Sequence, residues 1–243
     1  MRKRVIEQND IISWINPKSP ATEAYRTLHT NIEFSGLDES IRTLTITSPG
    51  PSEGKSTTSV NLAITYAQTG KRVLLVDADL RRPKLHKFFK ITNSRGLTNA
   101  VASRMELSEV VQSVKENLSV LTTGPIPPNS VELLSSRAMN LLFEKVKANY
   151  DIVIYDTPPV GVVTDAALLA TKTDGTLLVI ASGKTQIELT KQAKSHLEKV
   201  NARLLGAIIT MFPVDEANYL GYGYYNYTEE VSIKRNRWFK RRA

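Results

Sequence analysis

The chain has 243 residues, 41% of them hydrophobic, no cysteine, and a formal net charge of +8. That length and apolar content suit one sizeable core, the missing cysteine excludes disulfide frameworks and thiol chemistry, and no apolar run reaches the roughly 18–20 residues that cross a bilayer. Arg2, Lys3 and Arg4 supply +3 and six Lys/Arg between Lys234 and Arg242 supply +6, so 8 − 9 = −1 remains for everything else. The basicity is therefore terminal, which weighs against a nucleic-acid-binding face on the fold. It suits either solubilising ends or tails that meet an anionic surface, where Trp238 and Phe239 are able to enter a lipid interface. "MRKRVIEQND" at the start is followed by no apolar stretch, so no secretory signal is expected, and a cysteine-free chain fits a reducing cytoplasm.

In chain order, the first predicted element is a helix over "SPATEAYRTLHTNIEF" (19–34), with Ser19 or Thr22 as its cap. Six apolar, β-rich runs follow: 42–48, 71–78, 117–124, 150–157, 175–182 and 203–210. Most are continuous rather than alternating, as in strands covered on both faces. Amphipathic stretches near 56–69, 131–148, 164–171 and 185–200 separate them. The alternation predicts an α/β fold with a doubly wound, mostly parallel sheet. Periodicity stops after Phe212 and Pro213, which divides the chain into a domain over 1–212 and a flexible tyrosine-rich and basic tail over 213–243.

"TSPGPSEGKSTTS" (47–59) sits where the first strand gives way to the first long helix, and Gly54-Lys55-Ser56 ends a P-loop. Backbone N–H groups must surround phosphate oxygens closely, which favours small residues such as Gly50, Ser52 and Gly54. The phosphate-binding stretch is Gly50, Pro51, Ser52, Glu53, Gly54, Lys55, Ser56 and Thr57. The helix start adds its positive dipole end, Lys55 suits the β- and γ-phosphates of ATP, and the Ser56 hydroxyl suits Mg²⁺. The first glycine of the generic pattern falls on Pro49. "VLLVDADLRRP" (73–83) ends a strand with Asp77 and Asp79, and "IVIYDTPP" (152–159) ends another with Asp156. Isolated carboxylates at strand ends often only cap the next helix. Parallel strands finish at one edge, however, so these three can converge with Lys55 and Ser56 on one Mg–ATP.

"PGPSEGKST", "LLVDADLRRP" and "VIYDTPP", together with the tyrosine-rich tail and the loop "GPIPPNSVELLSS" (124–136), resemble the bacterial tyrosine kinases of capsule and exopolysaccharide synthesis, over about Lys18 to Tyr227. The resemblance implies a P-loop NTPase fold shared with septum-site and partition ATPases, and ATP-dependent phosphorylation of C-terminal tyrosines, chiefly on a neighbouring subunit. It implies Lys55 on the phosphates, Ser56, Asp77 and Asp156 as Mg²⁺ partners, and Asp79 as candidate base for the tyrosine hydroxyl. Arg81 and Arg82 would support the phosphates or a subunit contact. It further implies a transmembrane adaptor that activates the chain at the inner face of the membrane, assembly with itself, as a ring in the family, a cognate tyrosine phosphatase, and other protein substrates. The family's helix often carries Glu and two Arg at three-residue spacing for ring assembly; here stand Glu23, Arg26 and His29. Where relatives end the last strand with asparagine near adenine, Thr210 stands.

"NYLGYGYYNYTEE" (218–230) holds five of the nine tyrosines: Tyr219, Tyr222, Tyr224, Tyr225 and Tyr227. From Phe212 to Tyr225 the chain spans up to roughly 45 Å when extended, enough to enter a neighbour's site. The alternative is a partition or septum-site switch ATPase that transfers nothing to protein. Such switches carry a second lysine near the loop start, at the position of Gly50, and its absence disfavours them.

Overall fold

A computed structural model describes residues 11–36 and 40–212. The N-terminal segment forms α1 (Ile12–Ile15) and α2 (Pro20–Ser35). α2 starts as its sequence requires: the Ser19 hydroxyl accepts from Thr22 N–H at 3.1 Å, and Pro20 takes the first helical position, where no N–H is needed. Then come β1 (Thr43–Thr47), α3 (Lys55–Gln68), β2 (Val73–Asp77), α4 (Leu85–Phe89), α5 (Leu97–Ala102), α6 (Leu107–Val110), β3 (Val111–Lys115) and β4 (Leu118–Leu121). α7 (Ser130–Ser135), α8 (Arg137–Asn149), β5 (Ile152–Asp156), α9 (Asp165–Ala170), β6 (Gly175–Ala181), α10 (Ile187–Lys199) and β7 (Leu204–Thr210) complete the fold.

The strands form one sheet in the order β3-β4-β2-β5-β1-β6-β7, parallel throughout except for β3 against β4. Every residue of β1, β2 and β5 is buried, as continuous apolar runs with helices on both faces should be. Alternate residues divide between the layers. Val73 and Leu75 join α3 (Val60, Leu62, Ile64) on one face. Leu74 and Val76 join α8 (Leu142, Phe143, Val146) on the other. The doubly wound, mostly parallel sheet is thus present, with all six expected strands.

Three features differ from the sequence-based reading. β3 was not expected: "VQSVK" is short, only half-covered and antiparallel at the sheet edge. The single helix expected over 131–148 is two, because Ser136 turns extended (φ −67°, ψ 154°), ends α7 and caps α8 by accepting from Met139 N–H at 3.1 Å. Between β2 and β3 the chain forms three short helices that no long periodic stretch announced.

The chain divides into two units, Met1–Thr210 and Met211–Ala243. The expected tail, with its tyrosines and basic residues, and the N-terminal Arg2, Lys3 and Arg4 lie outside the described residues. Among the described residues, no helix is long and apolar enough to cross a membrane.

Candidate active site

β1, β5 and β2 are neighbours in the middle of the sheet, and the loops that leave their C-terminal ends meet at one edge. Connections from this region depart to opposite sides, the place where open α/β sheets form ligand crevices. The loop from Ser48 to Gly54 leaves β1 and delivers Lys55 to the first position of α3. It needs two left-handed residues, Ser52 (φ 59°) and Gly54 (φ 92°). At Gly54 a Cβ would be strained in conformation and would stand 3.3 Å from the Thr210 side chain.

Neighbouring elements clasp the loop. Gly50 N–H donates to Glu53 Oε2 at 2.9 Å, and Thr185 donates to Glu53 Oε1 at 2.6 Å. Thr210 Oγ1 donates to the Glu53 carbonyl at 2.6 Å, and Lys184 Nζ donates to the Ser52 carbonyl at 2.6 Å. On the other side Val160 N–H donates to the Ser48 carbonyl at 3.0 Å. A Cβ on Gly161 would lie only 2.3 Å from the Pro49 carbonyl oxygen. A proline stands at the pattern's first glycine, and the loop after β5 supplies the small residue that lets the two backbones meet.

Asp77 and Asp156 are register partners on β2 and β5, both essentially without solvent exposure. Asp77 Oδ2 accepts from Lys84 N–H and Leu85 N–H, each at 2.9 Å, while Oδ1 has no protein partner among the described residues. Burial pushes the Asp77 carboxyl up to about 7, the Asp156 charge adds to the rise, and the two backbone bonds oppose it. Burial likewise raises Asp156, against the pull of the Lys55 charge and a hydrogen bond from Ser56. Ser59 also donates to Asp156 Oδ1 at 3.1 Å and to the Lys55 carbonyl at 3.0 Å. Lys55 and Ser56 are themselves buried. Two buried carboxylates beside one lysine leave negative charge uncompensated, and Asp77 Oδ1 is an acceptor without a donor. A divalent cation fits both facts. Among the described residues no three His, Asp or Glu side chains gather around one point. This suits a hard cation held by one or two carboxylates plus substrate phosphates.

Asp79 lies just past β2, half-buried, and its Oδ1 accepts from Arg82 N–H at 3.0 Å. Its charge raises both Asp77 and Asp156, so the three carboxylates share one field. Arg81 contacts Asp165 (3.3 Å) and Ser130 (3.1 Å), tying the loop after β2 to the starts of α9 and α7. Of the phosphate-loop residues, Pro51 and Ser52 are exposed, Gly50, Gly54 and Thr57 are half-buried, and Glu53 is buried. The Glu53 side chain is turned into the loop as a brace.

Thr210 braces the loop through the Glu53 carbonyl. Glu23 and Arg26 pair with each other. His29 instead meets Tyr66 of α3 edge-on at 4.4 Å, and burial lowers its proton affinity. Sequence reasoning missed Ser59, Thr185, Lys184 and Gly161. Only Ser59 carried a local signal, standing one turn beyond Lys55 on the same helix.

A protein-family model described as an AAA domain matches residues 43–205. The tyrosine-protein kinase YwqD of Bacillus subtilis (strain 168) is 47% identical over 219 residues, covering 90% of this chain and 92% of the relative. The crystal structure of the chimerical protein CapA2B2 superposes with a TM-score of 0.82 at 38% identity, covering 86% of this chain and 92% of that one. The kinase domain of the Escherichia coli tyrosine kinase ETK superposes at 0.79 with 33% identity, covering 88% of this chain and 84% of that one. These likenesses favour a kinase over a switch ATPase. The buried carboxylate pair, the clasped phosphate loop and relatives alike over most of the chain lead to one conclusion: the chain belongs to the bacterial tyrosine-protein kinase family.

Proposed function

We propose that this chain transfers the γ-phosphoryl group of ATP to Tyr219, Tyr222, Tyr224, Tyr225 and Tyr227 of another copy of itself, and to other proteins, in the control of capsule or exopolysaccharide synthesis. The observation that carries the reading is the buried Asp77–Asp156 pair facing Lys55 and Ser56 at a P-loop. Lys55 and backbone N–H groups from Ser52 to Thr57 hold the β- and γ-phosphates, since Pro51 has no N–H and Gly50 gives its own to Glu53. Ser56, Asp77 and Asp156 would hold Mg²⁺, which when bound neutralises charge developing on the phosphate oxygens. The tyrosine oxygen forms a bond to the γ-phosphorus as the bond from that phosphorus to the β–γ bridging oxygen breaks, and ADP departs with the electron pair. The phenol, with a pKa of ~10, gives its proton to Asp79. Positioning and charge neutralisation supply most of the acceleration.

The same reading places the chain with a transmembrane adaptor that recruits it to the inner face of the membrane, with other copies of itself, and with a tyrosine phosphatase that reverses the reaction. The reach of the segment after Phe212 supports transfer between copies. A mixture of two chains tests this. One carries Lys55→Met with an intact tail, and the other keeps the active site but has the five tyrosines changed to phenylalanine. Phosphate is expected on the first chain only, at a rate that rises with the concentration of the second. No transfer in the mixture would confine the chemistry to a single chain.

A further inference from the structure

Between Leu80 and Met105 the chain carries seven lysines and arginines and no aspartate or glutamate. The chain between its basic ends is nearly neutral, so this concentration is local. It begins two residues after Asp79. Arg81 is paired with Asp165. Lys84, Lys87, Lys90 and Arg95 have no carboxylate partner among the described residues, and the last three are exposed. The segment is also fixed to the reaction centre: Asp77 Oδ2 accepts from the N–H groups of Lys84 and Leu85, and Leu85 and Phe88 are buried beneath. The cations thus stand on a short helix held by a site carboxylate.

The tyrosine-bearing stretch that the kinase reading makes the acceptor, ahead of the basic end at 234–242, has the opposite charge. Residues 213–230 contain Asp215, Glu216, Glu229 and Glu230 and no lysine or arginine. Such an acceptor must approach three carboxylates and the phosphates of ATP, all of its own sign. We propose that the cationic face of α4 and the loop after it docks the acidic flanks of the tyrosine segment of a second copy, offsetting this repulsion. The proposal rests on the kinase reading above.

The lengths agree. The acidic residues lie two to four positions from Tyr219 or Tyr227, which is about 7–14 Å of extended chain. α4 has five residues, or about 7–8 Å of helix. The flanking carboxylates of a tyrosine at Asp79 therefore spread over a span that matches the segment from Lys84 to Lys90, which is tied to Asp77 at its start. An anionic lipid surface also suits exposed cations. A bilayer seated here would cover the ground the acceptor must cross, so the acceptor segment is the better occupant.

The test measures phosphorylation of a Lys55→Met acceptor chain by the wild-type chain and by a variant with Lys87→Glu, Lys90→Glu and Arg95→Glu. The acceptor KM should rise on the order of tenfold in the variant, with the larger part of the loss in KM rather than kcat, and the difference should shrink in high salt. An acceptor whose four acidic residues become lysine should regain ground with the variant. An acceptor with Asp→Asn and Glu→Gln at those positions should show the same rise with the unaltered wild-type chain, which needs no altered kinase to fold. Equal KM for the acidic and neutralised acceptors would overturn the proposal. So would a variant that loses binding to phosphatidylserine vesicles while its acceptor KM stays put. Absence of tyrosine phosphate in the wild-type pair would overturn the kinase reading itself, and is thereby distinguishable.

Discussion

Replacing Lys55 by methionine is expected to cut tyrosine phosphorylation by about 10²–10³-fold while leaving the fold intact. Lys55 is buried at the first position of α3, and its charge is the principal counterweight to burial at Asp156. Its work is electrostatic rather than structural. Methionine keeps an unbranched stem of similar length in the same gap, so packing changes little. The loop's shape is held by Glu53, Thr185, Thr210 and Lys184, none of which bonds to the Lys55 side chain. Rates with Mg–ATP, read beside circular dichroism, check this. Near-normal activity, or a loss fully accounted for by unfolding, would contradict the site assignment.

Asp77→Asn should lower activity by two orders of magnitude or more and yet stabilise the nucleotide-free chain at pH 8. The sign follows from the raised carboxyl. In the unfolded chain Asp77 titrates at its ordinary value of 3.8, and in the fold at about 7. Between those values the folded chain binds the extra proton, so stability falls as pH rises through that window, and the penalty is complete above it. A shift of that size corresponds to on the order of 4 kcal/mol. The Asn amide oxygen can accept from Lys84 N–H and Leu85 N–H in place of Oδ2, and its NH₂ takes the place of the unpartnered Oδ1. Imperfect geometry there returns about 1–3 kcal/mol, leaving a net gain of a few degrees in Tm at about 2–4 °C per kcal/mol. The gain should shrink as pH falls through that window and be gone below 3.8, where Asp77 is protonated in both the folded and the unfolded wild type. Magnesium and nucleotide should stabilise the wild type more than the variant. A variant less stable than wild type at pH 8 would contradict the charge account.

Much of this site was legible because its signals are local. Gly54-Lys55-Ser56 after an apolar run, and carboxylates at the ends of two others, are short-range patterns, and parallel topology brings strand ends together without further information. Asp77 and Asp156 lie 79 positions apart, but continuous apolar runs place both on central strands. What escaped depends on contacts between distant segments. Glu53 looked like one more loop residue facing phosphate, and only the turn holding Thr185 shows that its side chain is an internal brace. Thr210 resembled a lost adenine contact, yet its hydroxyl meets the Glu53 carbonyl 157 positions away. His29 stands where the family's second ring-assembly arginine falls, and the packing of α2 on α3 turns its ring onto Tyr66. β3 escaped because a half-covered edge strand of five residues carries too few apolar positions to stand out.

The central claim is that the site phosphorylates tyrosine. Mass spectrometry of the purified chain after incubation with Mg–ATP, alongside the Lys55→Met chain, tests it most directly. The account predicts added phosphate on tyrosines among Tyr219, Tyr222, Tyr224, Tyr225 and Tyr227 in the wild type, and none in the Lys55→Met chain incubated alone. ATP consumed with no phosphate on any tyrosine of the wild-type chain would contradict it.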